Sequence, residues 1–187
     1  MKSALLIIDM QKIFKDLKYE EFERLLIPNI SKALNIARNK NVPIIYVRTL
    51  YRRNKSNWPR VRLHQERMWC EEGSWESEFV DELLPLKEDL IINKCRFTAF
   101  YNTNLESYLY ENKIEHIYLA GYATDVCIRF TAVDAYNRDI LVSVLKDCVL
   151  SESENNGQAI EYLRLFIKST ILSLEELEKD ISEVEER

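Results

Sequence analysis

Ile117-Tyr118-Leu119-Ala120-Gly121-Tyr122-Ala123-Thr124-Asp125-Val126-Cys127-Ile128 decides the reading of this chain, because a strand, a tight turn and a helix start follow one another within it. The apolar run His116–Ala120 reads as a buried strand, and Asp125–Asn137 reads as the helix that follows. A cysteine in the first turn of a helix lies beside backbone N–H groups that have no intrahelical partner. It also lies at the positive end of the helix dipole. Both favour the thiolate, the reactive form of the side chain. Cys127 is therefore a candidate nucleophile.

Outward from that stretch, apolar strand-like runs alternate with amphipathic helical patterns. Leu5–Ile8 precedes a helical stretch over Glu20–Lys40, in which Phe22, Leu25, Leu26, Ile30, Ala33, Leu34 and Ala37 recur at spacings of three and four. Asn41-Val42-Pro43 ends it, and Pro43–Val47 is the next strand. Thr49–Trp75 is polar and aromatic-rich without a period, and reads as loop with short helices. Then come a helix over Glu76–Leu83, strand Leu90–Ile92, helix Leu105–Glu111 and the strand–turn–helix quoted above. Strand Ile140–Leu145 and helices over Gln158–Ile167 and Ser173–Glu186 complete the chain. Continuous apolar strands separated by helices belong to a parallel sheet covered on both faces. With right-handed crossovers the sheet is doubly wound, and its ligands bind outside the carboxyl ends of the strands.

The chain has 187 residues, enough for one compact domain spanning 1–187 with a substantial core. Its formal net charge is −5, and no basic helix or arginine-rich tract with interleaved aromatics suggests nucleic acid. The local exception is Tyr51-Arg52-Arg53-Asn54-Lys55 with Arg60, Arg62 and Arg67. It is either a solvated basic loop or an attractor for an anionic substrate or partner. The opening apolar run is too short to span a membrane, and no leader cleavage site follows it. The four cysteines form no C-x-x-C pair and read as free thiols of a cytoplasmic protein. Two histidines rule out a histidine-rich metal site.

The strand-end rule selects Asp9 after the first strand, Lys94 after the third and Cys127 after the fourth. With the first strand central, all three converge on one edge of the sheet. Each residue has an ordinary reading too: an Asp at a strand end caps helices, a Lys before Cys-Arg sits in solvent, and a Cys at an apolar helix start packs in a core. Together they form a chemical set. A thiolate attacks a carbonyl carbon, a lysine ammonium stabilises it, and a carboxylate moves the proton from thiol to leaving amine. The backbone N–H groups of Ala123 and Cys127 are placed to form an oxyanion hole. Gln11, Phe14, Tyr101 and Tyr122 lie close to the trio in sequence and are candidate lining residues. Arg96 is a candidate for bidentate binding of a substrate carboxylate. Cys70, Cys95 and Cys148 have no partner logic and read as core or bystander thiols.

Three blocks carry a family resemblance. They are Leu5–Phe14, with the pattern of a hydrophobic strand followed by D-x-Q-x-x-F; Lys94–Leu105, with K-x-x-x-[ST]-A-F-x-x-[ST]-x-L; and Gly121–Ala135, close to G-x-x-T-D-x-C-x-x-T-A-x-D-A. The chain resembles the isochorismatase-like cysteine hydrolases, which include nicotinamidases, N-carbamoylsarcosine-type amidohydrolases and isochorismatases. The resemblance implies a triad of Asp9, Lys94 and Cys127, and a non-prolyl cis peptide at Tyr122–Ala123 that aims the oxyanion N–H groups. It also implies a homo-oligomer, dimer or tetramer. The expected fold is α/β: a three-layer, doubly wound, mostly parallel six-stranded sheet of order 3-2-1-4-5-6 with helices on both faces.

The departures from the family bear on substrate. Nicotinamidases carry an Asp-x-His pair after the second strand and a later His, which hold a metal. Here Arg48-Thr49-Leu50-Tyr51 offers neither, and His64 stands alone in its loop. The expectation is a metal-independent enzyme without a cofactor. Isochorismatases that hydrolyse a vinyl ether lack the nucleophilic cysteine, which this chain keeps. The expected activity is hydrolysis of a C–N bond in a small amide, ureide or carbamoyl substrate. A vinyl ether hydrolase and a silent scaffold of the same fold are the alternatives.

Overall fold

The computed structural model of the protein describes residues 1–153 and 155–186. In chain order its elements are β1 (Lys2–Ile8), α1 (Lys12–Leu17), α2 (Tyr19–Glu21), α3 (Ile27–Asn39), β2 (Ile44–Thr49), β3 (Leu90–Lys94), α4 (Leu105–Glu111), β4 (Ile114–Tyr122), α5 (Arg129–Tyr136), β5 (Leu141–Leu150), α6 (Asn156–Phe166), β6 (Thr170–Leu172) and α7 (Leu174–Glu185). The six strands form one sheet in the order β3-β2-β1-β4-β5-β6, and every neighbouring pair is parallel. The expected architecture is the observed one.

Side chains alternate across the strands, so each central strand feeds two cores. Leu5, Ile7, Tyr46, Tyr118 and Ala120 pack with Ile30, Ala33 and Ala37 of α3 and with Leu177 and Ile181 of α7. Ala4, Leu6, Ile8, Val47 and Leu119 pack on the other face with Leu109 of α4, Ala132 of α5 and Leu163 of α6. This double burial is why β1 and β4 read as unbroken apolar runs rather than as alternating ones. Among the described residues no helix is long and apolar enough to cross a membrane.

Some elements differ from the sequence reading, each for a local reason. Glu76–Leu83 is not one helix but two short 3₁₀ turns, Trp75–Ser77 and Asp81–Leu83, with extended backbone between them. That backbone is taken by β1's continuation: Lys12 N donates to Glu78 O and Val80 N donates to Met10 O, and Gln11 pairs with Phe79. The stretch from Glu20 is helical as expected, but Phe22–Leu26 forms a wider π turn ahead of Pro28, which lacks an N–H and sits in the first turn of α3. The strand expected to stop at Leu145 runs on to Leu150, beyond the polar pair Lys146-Asp147, with a break in register against β4. β6, three residues long, had no signal of its own.

Gly121 joins β1 to β4 at the carboxyl end of the sheet. It pairs with Ile8 and holds φ +120, and a Cβ built on it would lie 2.0 Å from Ile8 O. Only glycine fits, and the fit seats Asp9 directly against the turn that carries Cys127.

Candidate active site

Three strand ends meet here. Asp9 follows β1 with φ 51, a left-handed conformation that Asp tolerates better than most side chains. Lys94 ends β3, and Thr49, opposite it in register, ends β2. Lys94 Nζ lies 2.7 Å from Asp9 Oδ2, donates to Thr49 Oγ1 at 2.7 Å and reaches Cys127 Sγ at 3.3 Å. The three donors of the ammonium thus have three partners. Asp9 Oδ1 accepts from Thr49 N (2.8 Å) and Thr49 Oγ1 (3.0 Å). Asp9 Oδ2 faces Lys94 and has no further donor among the described residues. One carboxylate oxygen is anchored, and the other is turned toward the ammonium.

The electrostatics correct the expectation of a resting thiolate. Burial of its sulfur and the Asp9 charge push the Cys127 thiol up to about 12, against the opposing pull of Lys94. Cys127 occupies the π turn Thr124–Ile128 that precedes α5, and the helix end does not outweigh an enclosed site beside a carboxylate. The direction is toward the neutral thiol. For Lys94 burial opposes the charge, but Asp9 and Cys127 outweigh it and raise its pKa, so it stays an ammonium although 1% exposed.

The sulfur opens on a cavity of about 480 Å³ lined by aromatic side chains, among them Phe14, Tyr51, Trp69, Phe97 and Tyr122, with Arg96 and Glu152 also on its wall. Phe14 lies tilted against Tyr122 at 5.2 Å and meets Trp69 edge-on at 5.7 Å. The Tyr122 hydroxyl donates to Glu152 Oε2. Asp125 holds that segment in place, its two oxygens accepting from Glu152 N and Ser153 N. Burial works against the Asp125 charge, but these bonds more than compensate and hold its carboxyl below the usual range. The Tyr122–Ala123 peptide is cis. Ala123 lines the cavity, and its N–H donates to no acceptor among the described residues.

The other residues singled out from sequence fall in several places. Gln11 is fully buried: its amide N–H groups go to Thr49 O and Ser77 O, and its carbonyl accepts from Thr49 N. It stands behind the site, clasping the end of β2 to the 75–80 segment. Tyr101 lies under the Arg96 guanidinium, 5.1 Å from ring to charge, on a second, polar cavity of about 430 Å³. Arg96 lines both cavities, with Nη1 held by Asn57 O and Cys95 O. Cys70 and Cys148 are buried free thiols, and His64 is exposed and does not line the cavity. The sequence reading missed Thr49, Tyr51, Trp69, Phe97 and Glu152. Thr49 was in view, since it ends a strand beside Arg48. Tyr51 and Trp69 lie in the segment without a period, which folds around its own cluster of Tyr51, Trp58 and Met68. Among the described residues no three His, Cys, Asp or Glu side chains gather as a metal site would require.

Comparison with known proteins shows what the whole chain is similar to. The isochorismatase domain model matches residues 3–176. The isochorismatase family protein YaaI of Bacillus subtilis (strain 168) is 30% identical over 159 residues, covering 83% of this chain and 84% of that one. The ureidoacrylate amidohydrolase RutB of Pseudomonas syringae pv. syringae is 26% identical over 170 residues, 78% of this chain and 69% of its own length. Among solved structures, the N-carbamoylsarcosine amidase of Thermoplasma acidophilum superposes with a TM-score of 0.76 at 26% identity, covering 93% of this chain and 97% of that one.

Proposed function

The chain belongs to the isochorismatase family, and from that premise we propose that it is a metal-independent cysteine hydrolase cleaving the C–N bond of a small amide, ureide or carbamoyl compound through a Cys127 thioester. The observation that carries the reading is the buried contact set of Asp9, Lys94 and Cys127. Two relatives named as an amidohydrolase and an amidase support the bond type. Metal independence rests on Arg48-Thr49-Leu50-Tyr51, which has no carboxylate or imidazole to offer a cation beside the cavity.

The steps follow from the geometry. Substrate enters the aromatic cavity with its carbonyl carbon over Cys127 Sγ. The thiol proton moves to Asp9 Oδ2, and the thiolate forms the S–C bond while Lys94 balances its charge. The carbonyl π pair moves onto oxygen, which the N–H groups of Ala123 and Cys127 stabilise as an oxyanion. When that pair returns, the C–N bond breaks, and the nitrogen takes the proton from Asp9 and leaves as an amine or ammonia. Water then gives a proton to Asp9 and attacks the thioester. The acid departs, and Cys127 recovers its proton. Holding the thiol neutral until attack keeps a buried charge from forming before the oxyanion can use it.

Ammonia release from a panel of small amides, ureides and carbamoyl compounds tests this, with Cys127→Ala as the blank. Release that depends on Cys127, with an acyl adduct on that residue by mass spectrometry, is the expected result. Equal release by the blank refutes the thioester, and pyruvate release from isochorismate without ammonia release from any amide makes the chain an ether hydrolase. The family reading also proposes a dimer or tetramer in solution, which light scattering decides.

A further inference from the structure

The aromatic cavity over Cys127 shares a wall residue, Arg96, with the polar cavity of about 430 Å³. Asp9, Lys94 and Cys127 do not line that second cavity, so the hydrolytic steps leave it without a role. Arg96 is built firmly into its wall. Nη1 donates to Asn57 O at 2.8 Å and to Cys95 O at 2.6 Å, and the guanidinium lies 5.1 Å from the centre of the Tyr101 ring. Asn57 is fixed in turn, since its amide donates to Leu50 O and its Oδ1 accepts from Arg52 N.

These bonds use one nitrogen of the fork. The Nε–Nη2 edge, which takes a carboxylate or phosphate side-on, has no acceptor among the described residues. Asn93 brings a further donor to the same wall. Its Oδ1 accepts from Arg48 Nε at 2.7 Å, and its –NH₂ end has no acceptor among the described residues. The charges agree with the donors. Arg52 and Arg96 bring two cations to the wall against the one carboxylate of Glu72, and neither arginine forms an ion pair among the described residues. Arg38, Arg138 and Arg164 by contrast pair with Asp89, Glu106 and Glu161. Arg52 Nη1 reaches only Ser56 Oγ, at 3.4 Å. An anion entering here gains charge-assisted bonds from a guanidinium whose orientation is already fixed.

We propose that the polar cavity binds a small oxyanion, a carboxylate or a phosphate, on the Nε–Nη2 edge of Arg96, with Arg52 and Asn93 as further donors. The site is distinct from the hydrolytic chemistry and stands whether or not the amide reading does. Because Arg96 lines both cavities, the anion arrives either as the far end of a substrate whose amide lies over Cys127 or as a free ion.

The test is calorimetric titration of wild type, Arg96→Gln and Arg52→Gln with inorganic phosphate and with succinate. Ionic strength is held constant with sodium chloride so that general screening does not change. The expected result is saturable binding of at least one of the two anions by wild type. Arg96→Gln weakens it about 10- to 100-fold, as for loss of hydrogen bonds to a charged group, and Arg52→Gln weakens it by a smaller factor. Melting temperatures show whether each variant is folded, and Arg52, at an exposed position, decides the matter if Arg96→Gln is not. No saturable binding by wild type, or binding that the folded variants retain in full, overturns the inference. Cleavage of succinamate and propionamide with and without phosphate then identifies the source. Competitive loss on succinamate alone makes the anion the far end of a substrate, and an equal effect on both compounds makes it a free ion. Binding is read without turnover, so absence of ammonia release refutes the amide reading and leaves this one to the titration.

Discussion

Replacing Asp9 with Asn separates two roles that a simple general-base picture merges. Asn is tolerated at φ 51, and its carbonyl can still accept from Thr49 N and Oγ1, so the anchored half of the side chain survives. What disappears is the negative charge beside Lys94 and Cys127. In the resting enzyme that charge is one of the causes holding the thiol at about 12. A charge in this proximity moves a pKa by about 1–3 units, so Asp9→Asn increases the thiolate fraction at neutral pH by about 10- to 1000-fold. Nucleophilicity falls with basicity at a Brønsted slope of about 0.4–0.5, which leaves a net gain of about 4- to 40-fold in reaction with a neutral alkylating agent. The variant is therefore expected to lose amide turnover while its Cys127 alkylates faster. Iodoacetamide labelling followed by peptide mass spectrometry at pH 7.5 gives the rate at Cys127, with buried Cys148 as an internal reference. Slower or unchanged labelling would refute the reasoning. It would mean that Asp9 draws the proton off the thiol before substrate binds.

Other residues give sharp expectations of their own. Gly121→Ala sets a methyl group 2.0 Å from Ile8 O at φ +120, so the protein is expected to fail to fold or to lose about 3 kcal/mol or more, and an unchanged melting temperature would count against this account of the β1–β4 junction. Lys94→Met leaves the Asp9 carboxylate buried without its ion partner, and the denaturant midpoint is expected to fall by the equivalent of about 3–5 kcal/mol. A shift below about 1 kcal/mol would show that the pair is not needed for the fold. Gln11→Leu strands Thr49 O and Ser77 O and is expected to cost about 1–3 kcal/mol of stability. Wild-type stability with a raised KM would instead place Gln11 on the cavity surface.

The parts of this protein that were legible from sequence are those whose signal repeats. β1, β2 and β4 are buried on both faces, so they carry the apolar runs Ala4–Ile8, Ile44–Val47 and Ile117–Ala120, and helices between them leave a parallel sheet as the simplest cover. Once the strands were placed, Asp9 and Lys94 followed from standing at strand ends, and Cys127 followed from the turn after β4. The hidden parts depend on single contacts. Residues 75–83 have a composition compatible with a helix, but the backbone of Glu78 and Val80 is used by Lys12 and Met10, and no local pattern announces a pairing so remote in sequence. β6 is too short to show a period, and β5 continues through Lys146-Asp147 because Asp147 finds Leu174 N.

The same distinction separates position from charge state at Cys127. Its place at a helix start was readable, and the rule that helix N-termini favour thiolates was applied to it. That rule assumes a sulfur with solvent on one side and only backbone dipoles on the other. Here Asp9, distant in sequence, arrives through β1 and its charge pushes the thiol pKa up, while Lys94 divides its three donors among Asp9, Thr49 and Cys127. The ammonium is thus shared with a carboxylate, and the net shift of the thiol pKa is upward. Sequence can place the cysteine, but its pKa belongs to the three-dimensional set of charges. In this site that set raises the pKa of the Cys127 thiol rather than lowering it.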